Sequence, residues 1–392
     1  MKLYLLACLV VLAGCGVSNT DEDFPDISSG VVADIQREID IQGDNFVISL
    51  EPRTYLFDSA LQLRDFQNGT IDGNGATFKR VNSDKISAIL DRDYNGSRVV
   101  FVDELPESFS IGDRLVLISG QTIDDITLDP RTITGITGNA ITLNSPFAGR
   151  RKAGDVVAKT FRFINSVSSS VPGSKNGGTV IKNIKFDGNA RNNQLNYSWR
   201  FNGTISLYGG KDSVIRDCEF FDIPNDCIIG HGFNVINCSF DGLNASVVHM
   251  SVHDNTKAIN AGASFIGNKV YDVNRVSSEV NGHSEGAITF SWGGGNILVR
   301  GNKFTTLTGK DGVMGKFYSD TSNTDENLVF EDNEAIGFRR IILLAEIGTT
   351  VLNNVTIRNN TFISCGSTYI PPLRSQTIDI SNNTLINTTI SR

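Results

Sequence analysis

A six-residue pattern recurs eight times from about residue 178 onward, and it constrains the fold more than any other feature. The copies are Ile181-Lys-Asn-Ile-Lys-Phe186, Ile215-Arg-Asp-Cys-Glu-Phe220, Val235-Ile-Asn-Cys-Ser-Phe240 and Phe265-Ile-Gly-Asn-Lys-Val270. They continue as Val299-Arg-Gly-Asn-Lys-Phe304, Phe330-Glu-Asp-Asn-Glu-Ala335, Ile357-Arg-Asn-Asn-Thr-Phe362 and Ile380-Ser-Asn-Asn-Thr-Leu385. Successive copies end 34, 20, 30, 34, 31, 27 and 23 residues apart. A fixed motif with filler of variable length is the mark of a stacked solenoid. The segments are short, β-branched and aromatic, and turns interrupt them every few residues. No run has the length and 3.6-residue period that a helical repeat needs. The pattern predicts an all-β chain, a parallel β-helix.

One column of the motif holds Asn183, Asp217, Asn237, Asp332, Asn359 and Asn382, with Gly267 and Gly301 in the remaining copies. Asn, Asp and Gly are the residues that tolerate left-handed backbone. The column therefore predicts a repeated tight bend whose amides hydrogen-bond from coil to coil. Cys218 and Cys238 share the next column and are expected as buried, stacked thiols, a disulfide between them being the alternative.

The N-terminal part fits the same plan. Val31, Val32, Ile35 and Ile39 lie on one side of an amphipathic helix expected over 31–40, suited to cap the open end of the solenoid. Phe46-Val-Ile-Ser-Leu-Glu-Pro-Arg-Thr-Tyr-Leu-Phe57, followed by Asn68-Gly-Thr-Ile-Asp-Gly-Asn-Gly-Ala-Thr-Phe78, resembles the opening coils of the pectin-lyase-like superfamily. The resemblance covers residues 30–90 and 160–392. It implies a right-handed parallel β-helix solenoid and leaves the reaction open. Residues 92–160 read instead as a small β-rich insertion with a hairpin at Gly138-Asn139. The expected organisation is a first section 30–91 of cap and early coils, the insertion 92–160, and a main β-helix 161–392.

The first residues carry an address. Met1-Lys2 precedes an apolar stretch from Leu3 to Ala13, which ends in Leu12-Ala13-Gly14-Cys15. The stretch is too short to span a bilayer, and it resembles a bacterial lipoprotein signal in which Cys15 is lipidated. Residue 16 is Gly, so no inner-membrane retention signal is seen. Residues 1–15 are then a signal peptide and 16–29 a polar tether. The expected location is the cell envelope, lipid-anchored, at the outer membrane, in an oxidising compartment. Lys and Arg number 35 against 43 Asp and Glu, a net charge of −8 that argues against a nucleic-acid partner. There is no Cys-x-x-Cys pair to suggest a thiolate metal site. Acidic loops leave calcium open as a cofactor, although no calcium-loop motif is present. No coiled-coil heptad points to an oligomer.

The segments 204–208, 227–231, 246–250, 287–291, 313–317 and 341–346 fall at the same place in each period and are expected to stack as one sheet. Alternation places Ile205, Leu207, Ile228, Val248, Met250, Ile288, Phe290 and Phe317 inward. Tyr208, His231, His249, Thr289, Ser291 and Lys316 then face out. All four histidines, His231, His249, His253 and His283, fall within this region. Asp226, Glu285, Arg339 and Arg340 lie at neighbouring strand ends or loops, and Trp199, Tyr197 and Trp292 are candidates to stack on sugars. The set reads as a groove for a polysaccharide. β-Elimination on a uronate needs a base at C5 and a positive charge on the carboxylate. His249 or Lys316 would be the base and Arg339 or Arg340 the neutraliser. Hydrolysis needs two carboxylic groups roughly 5–10 Å apart, with Asp226, Glu285 and Glu346 as candidates. A polysaccharide lyase is favoured. The alternatives are a glycoside hydrolase, a glycan-binding or spacer protein, and a tailspike-like depolymerase. Gly230-His231-Gly232 and Asn225-Asp226-Cys227 are similar to motifs of polygalacturonases, but that family places them about a coil apart and adds an Arg-Ile-Lys that is missing here. The Asp-Pro-His of alginate epimerases is also missing.

Overall fold

The computed structural model describes residues 31–63, 66–118, 131–160, 162–166, 177–192, 204–207, 212–224, 226–230, 232–251, 262–273, 286–291, 296–306, 313–319, 326–346, 352–370 and 377–391. Three stacks of parallel strands wind about one apolar core, so the chain is a parallel β-helix. The first stack runs from Val47–Ser49 through Val214–Arg216, Asn234–Ile236, Ala263–Ile266, Asn296–Arg300, Glu326–Glu331 and Leu352–Arg358 to Thr377–Ser381. The second contains Glu219–Phe221, Ser239–Asp241, Lys269–Tyr271, Lys303–Thr305, Glu334–Ile336, Thr361–Ile363 and Thr384–Ile386. In the coils of Thr70–Arg80 and Val180–Asp187 a single longer strand serves both stacks.

From Arg216 onward the link between these two stacks is two residues long in every coil. Its first residue is the predicted bend column. Asn183, Asp217, Asn237, Asp332, Asn359 and Asn382 all have φ between 54° and 57°, with Gly267 and Gly301 at 67° and 66°. The hydrogen-bonded ladder, however, runs one column later than the sequence places it. Asn268, Asn302, Asn333, Asn360 and Asn383 fill the second turn position. The backbone N–H and Nδ2 of Asn268, Asn302, Asn333 and Asn360 both donate to Oδ1 of the Asn one coil on. Bend residues point away from the core, while this second position points into it. There an unpaired amide would cost a full desolvation penalty, so stacking the amides satisfies them. Cys218 and Cys238 occupy the same column lower down as free, buried thiols.

The column that closes each motif fills the core. Phe186, Phe220 and Phe240 stack with centroids 4.7 and 4.8 Å apart, which is the coil spacing itself. At the N-terminal end the helix Val31–Gln42 buries Val32, Ile35 and Ile39 on the first coil. Two helix glutamines also pair with open strand edges. Gln36 accepts from the backbone N–H of Gln62 and donates to its carbonyl. Gln42 does the same with Val47. Between the coils, strands Ser87–Ile89, Val99–Phe101, Arg114–Ile118, Arg131–Thr137, Ala140–Leu143 and Val156–Lys159 form a six-stranded antiparallel sheet over its own core. The hairpin at Gly138-Asn139 joins Thr137 to Ala140.

Candidate functional site

The third stack carries the expected segments. Its strands are Leu61–Gln62, Ile164–Asn165, Ile205–Leu207, Ile228–Gly230, Val248–Ser251, Gly286–Ser291, Val313–Ser319 and Arg340–Glu346, in that spatial order. Register pairs Ser206, Ile229, His249, Thr289, Lys316 and Leu343 in a single column. Gln62 and Asn165 extend it downward. Ile205, Leu207, Ile228, Val248 and Ile288 on either side belong to the core, so this column lies on the outer face, as alternation requires.

Variable chain length is concentrated at the two rims of this sheet. The chain uses 14 residues between Tyr271 and Gly286 and 11 between Ser251 and Ala263, against two at each bend between the other stacks from Arg216 onward. The outer face itself is buried. Asn165, Ser206, His249 and Thr289 are each less than 9% exposed. Such polar burial is costly unless the groups find partners.

One pair stands out. Asp226, 1% exposed, leads into the strand Ile228–Gly230, and His249 sits on the next strand, 8% exposed. Nδ1 of His249 is 3.3 Å from Oδ2 of Asp226. The other carboxylate oxygen, Oδ1, accepts the backbone N–H of Ser246 at 3.1 Å. Both oxygens are engaged, so the carboxylate is fixed in plane and aimed at the imidazole. A carboxylate on Nδ1 selects the tautomer protonated there and leaves Nε2 as the basic nitrogen. In the next coil Thr289 turns its hydroxyl back to accept the N–H of Gly286. Lys316 follows in register one coil further. With coils about 4.8 Å apart, His249 and Lys316 stand roughly 10 Å apart along the axis. Burial pushes up the thiol of Cys227, next to Asp226, with like-charge repulsion from Cys238 and Asp226 adding to it.

The candidates of the sequence divide into three groups. Asp226, His249 and Thr289 are brought together. Lys316 and Ser291 take register positions on strands of the same sheet, Ser291 beside Tyr318. Arg340 opens the strand one coil beyond Lys316, and Arg339 precedes it; both are exposed at the rim. Trp199, Tyr208, His231, His253, His283, Glu285 and Cys15 lie outside the described residues. Sequence reasoning missed Arg162 and Asn165. Arg162 is 7% exposed and donates to Oδ1 of Asn165 at 2.8 Å, and Asn165 donates on to Gln62. Their strand is separated from its lower neighbour by the whole insertion, which hides the register. Ser206 was within an expected strand, but nothing in its type marked it. Among the described residues no group of three His, Cys, Asp or Glu is placed to hold a metal ion.

No protein-family model and no curated protein sequence matches the chain. Among solved structures, it is similar to the tailspike of Pseudomonas phage phi297, at 12% identity and a TM-score of 0.29, over 90% of this chain and 67% of that one. It is similar to the tailspike of Acinetobacter baumannii bacteriophage AP22, solved with A. baumannii capsular saccharide, at 10% identity and a TM-score of 0.20, over 93% and 74% of the two chains. A glycoside hydrolase matches at 7% identity and a TM-score of 0.40, over 91% of this chain and 92% of that one.

Proposed function

We propose that the chain is a carbohydrate-active β-helix protein that cleaves an acidic polysaccharide by β-elimination along the outer face of the third sheet. The observation that carries this is the buried Asp226–His249 pair, with Thr289 and Lys316 following it coil by coil. In this mechanism Nε2 of His249 takes the C5 proton of a uronate. Asp226 holds the ring and stabilises the imidazolium that forms. The electron pair left at C5 delocalises into the uronate carboxylate, whose growing charge needs a cation nearby. Lys316, two coils along, is the cation proposed to reach that carboxylate, and Arg339 and Arg340, three coils along, are the cations proposed for the next uronate. The C4–O bond then breaks, its electron pair leaves with the glycosidic oxygen, which takes up the proton held on Nε2 or one from water, and an unsaturated sugar remains. The hydrolytic alternative asks a carboxylic acid to reach the glycosidic oxygen, and Asp226 has both oxygens already engaged. An envelope lipoprotein anchored through Cys15 is the setting in which such an enzyme would meet its polymer.

The test is incubation with a panel of uronate polysaccharides, following ultraviolet absorbance of the unsaturated product. Turnover on at least one polymer is expected, lost by at least about a hundredfold in His249→Gln. Lys316→Ala is expected to lose about tenfold or more. Reducing ends without unsaturation would replace the elimination with hydrolysis. Silence of the wild-type chain with retained binding would leave a glycan-binding protein.

A further inference from the structure

The inner column of the bend ties successive coils together unevenly. From Asn268 upward each step carries two hydrogen bonds to a side-chain amide, as between Asn302 and Asn333. The step from Cys238 to Asn268 carries one, from the N–H of Cys238 to Oδ1 of Asn268. The step from Cys218 to Cys238 has no amide to offer, because both side chains are free thiols. That step joins two particular coils. The lower holds Val214–Arg216, Glu219–Phe221 and Ile228–Gly230, and the upper holds Asn234–Ile236, Ser239–Asp241 and Val248–Ser251. Asp226 belongs to the lower coil and His249 to the upper. The amide ladder therefore does not reach the step across which the carboxylate meets the imidazole.

The geometry there suits a covalent tie. Phe220 and Phe240, two residues beyond the cysteines, stack 4.8 Å apart, and the N–H of Ser239 donates to the carbonyl of Cys218 at 2.9 Å. Cα atoms one coil apart fall within the roughly 4.4–6.8 Å that disulfides span, and the Cβ vectors of one column run parallel. The thiol of Cys238 donates down to the carbonyl of Ile215 at 3.7 Å, inside the coil of Cys218. Burial raises the Cys218 thiol well above its ordinary range, with a hydrogen bond and like-charge repulsion from Cys238 adding to it.

We infer that Cys218 and Cys238 form a disulfide that clamps the coil of Asp226 to the coil of His249, the structure being the reduced form. The oxidant is an organic disulfide such as oxidised glutathione. One cysteine thiolate attacks it, forms a mixed disulfide and releases one glutathione thiolate; the second cysteine thiolate then displaces the other. The two protons given up by the cysteines end on the two glutathione thiols, so two cysteines are oxidised as one disulfide is reduced. Thiols buried in apolar surroundings are inert to such exchange, so the bond forms while the coils are still open, during folding. It links residues 20 apart in sequence and draws their Cβ atoms toward about 3.8 Å, which tightens this one step of the stack.

The test refolds the full chain from urea with oxidised and reduced glutathione, unfolds it in an alkylating reagent and maps the peptides. A linked pair carrying Cys218 and Cys238 is expected, with Cys227 and Cys365 alkylated; after refolding in dithiothreitol all four are alkylated. Unfolding of the oxidised chain in urea should be at least about tenfold less favourable than that of the reduced chain, and the difference should vanish in Cys218→Ala. If that variant does not fold, the wild-type comparison with and without dithiothreitol decides alone. Alkylation of both cysteines after oxidative refolding, a link of either to Cys227, or a link that leaves stability unchanged or lower would overturn the inference. None of these readouts is turnover, so failure of the clamp is distinguishable from failure of the proposed elimination.

Discussion

Replacing Asn333 with Ala should be among the most damaging single changes outside the apolar core. Asn333 is 2% exposed, and its side chain makes four hydrogen bonds. Nδ2 donates to the carbonyl of Val299 and to Oδ1 of Asn360, each at 3.0 Å. Oδ1 accepts N–H and Nδ2 of Asn302 at 3.0 and 2.9 Å. Asn333→Ala leaves two buried donors without partners, the Asn302 N–H and one Asn302 amide hydrogen, while the Val299 carbonyl loses the amide but stays in the strand ladder with the next coil. Oδ1 of Asn360 keeps the backbone N–H of residue 333. At about 1–3 kcal/mol for each orphaned group, the upper range is large. A water entering the space vacated by the amide recovers part of it, so a loss of about 2–4 kcal/mol is expected. The same coil contains its own control. Asn327 also stands in an amide ladder, bonded to Asn296 and Asn354 at 2.6 Å each, but on the solvent-accessible outside. Water replaces those bonds, and Asn327→Ala should cost about 0.5 kcal/mol or less. Urea unfolding followed by far-ultraviolet circular dichroism reads both. A loss below about 1 kcal/mol for Asn333→Ala, or equal losses for the two variants, would refute the argument that burial gives the inner ladder its weight.

Phe220→Ala, which empties the middle of the Phe186–Phe220–Phe240 stack, should cost about 3–5 kcal/mol in the same assay. The thiols of Cys218, Cys227, Cys238 and Cys365 are buried, and burial raises those of Cys218, Cys227 and Cys365 above the ordinary range; a thiol reagent should label all four only after unfolding. Burial also raises the carboxyl of Asp187, against the opposing N–H of Asn189 and Lys79. A folded-state value above the unfolded one gives stability that is present below the unfolded value of about 3.9 and lost as pH rises through the folded one. Asp187→Asn keeps an oxygen for Asn189, and it should stabilise the chain at neutral pH while flattening the pH dependence of unfolding in the carboxylate range. In His249-detected NMR, Asp226→Asn should shift the ring nitrogens away from the Nδ1–H tautomer; an unchanged tautomer would show that Asp226 does not set it.

Much of this architecture is local and therefore legible in the chain. A positive φ is a property of one residue, so the recurrence of Asn, Asp and Gly marks the bend in every coil. Alternation is a property of neighbours, so the inward set from Ile205 to Ile288 and the outward column through His249, Thr289 and Lys316 follow from the pattern alone. Which columns bond to each other does not follow, because that depends on reach across the coil spacing and on burial. The bend column was the obvious ladder, yet the amides that stack are one residue later, where the core leaves them no water. Asp226 and His249 are 23 residues apart, and only winding the intervening coil brings them to 3.3 Å. The insertion hides the strand of Asn165 by separating it from Gln62, and the glutamines that finish the N-terminal edge are ordinary helix residues until the first coil is placed beneath them. Local conformational preference is written residue by residue, whereas partnership and desolvation exist only once the coils are stacked.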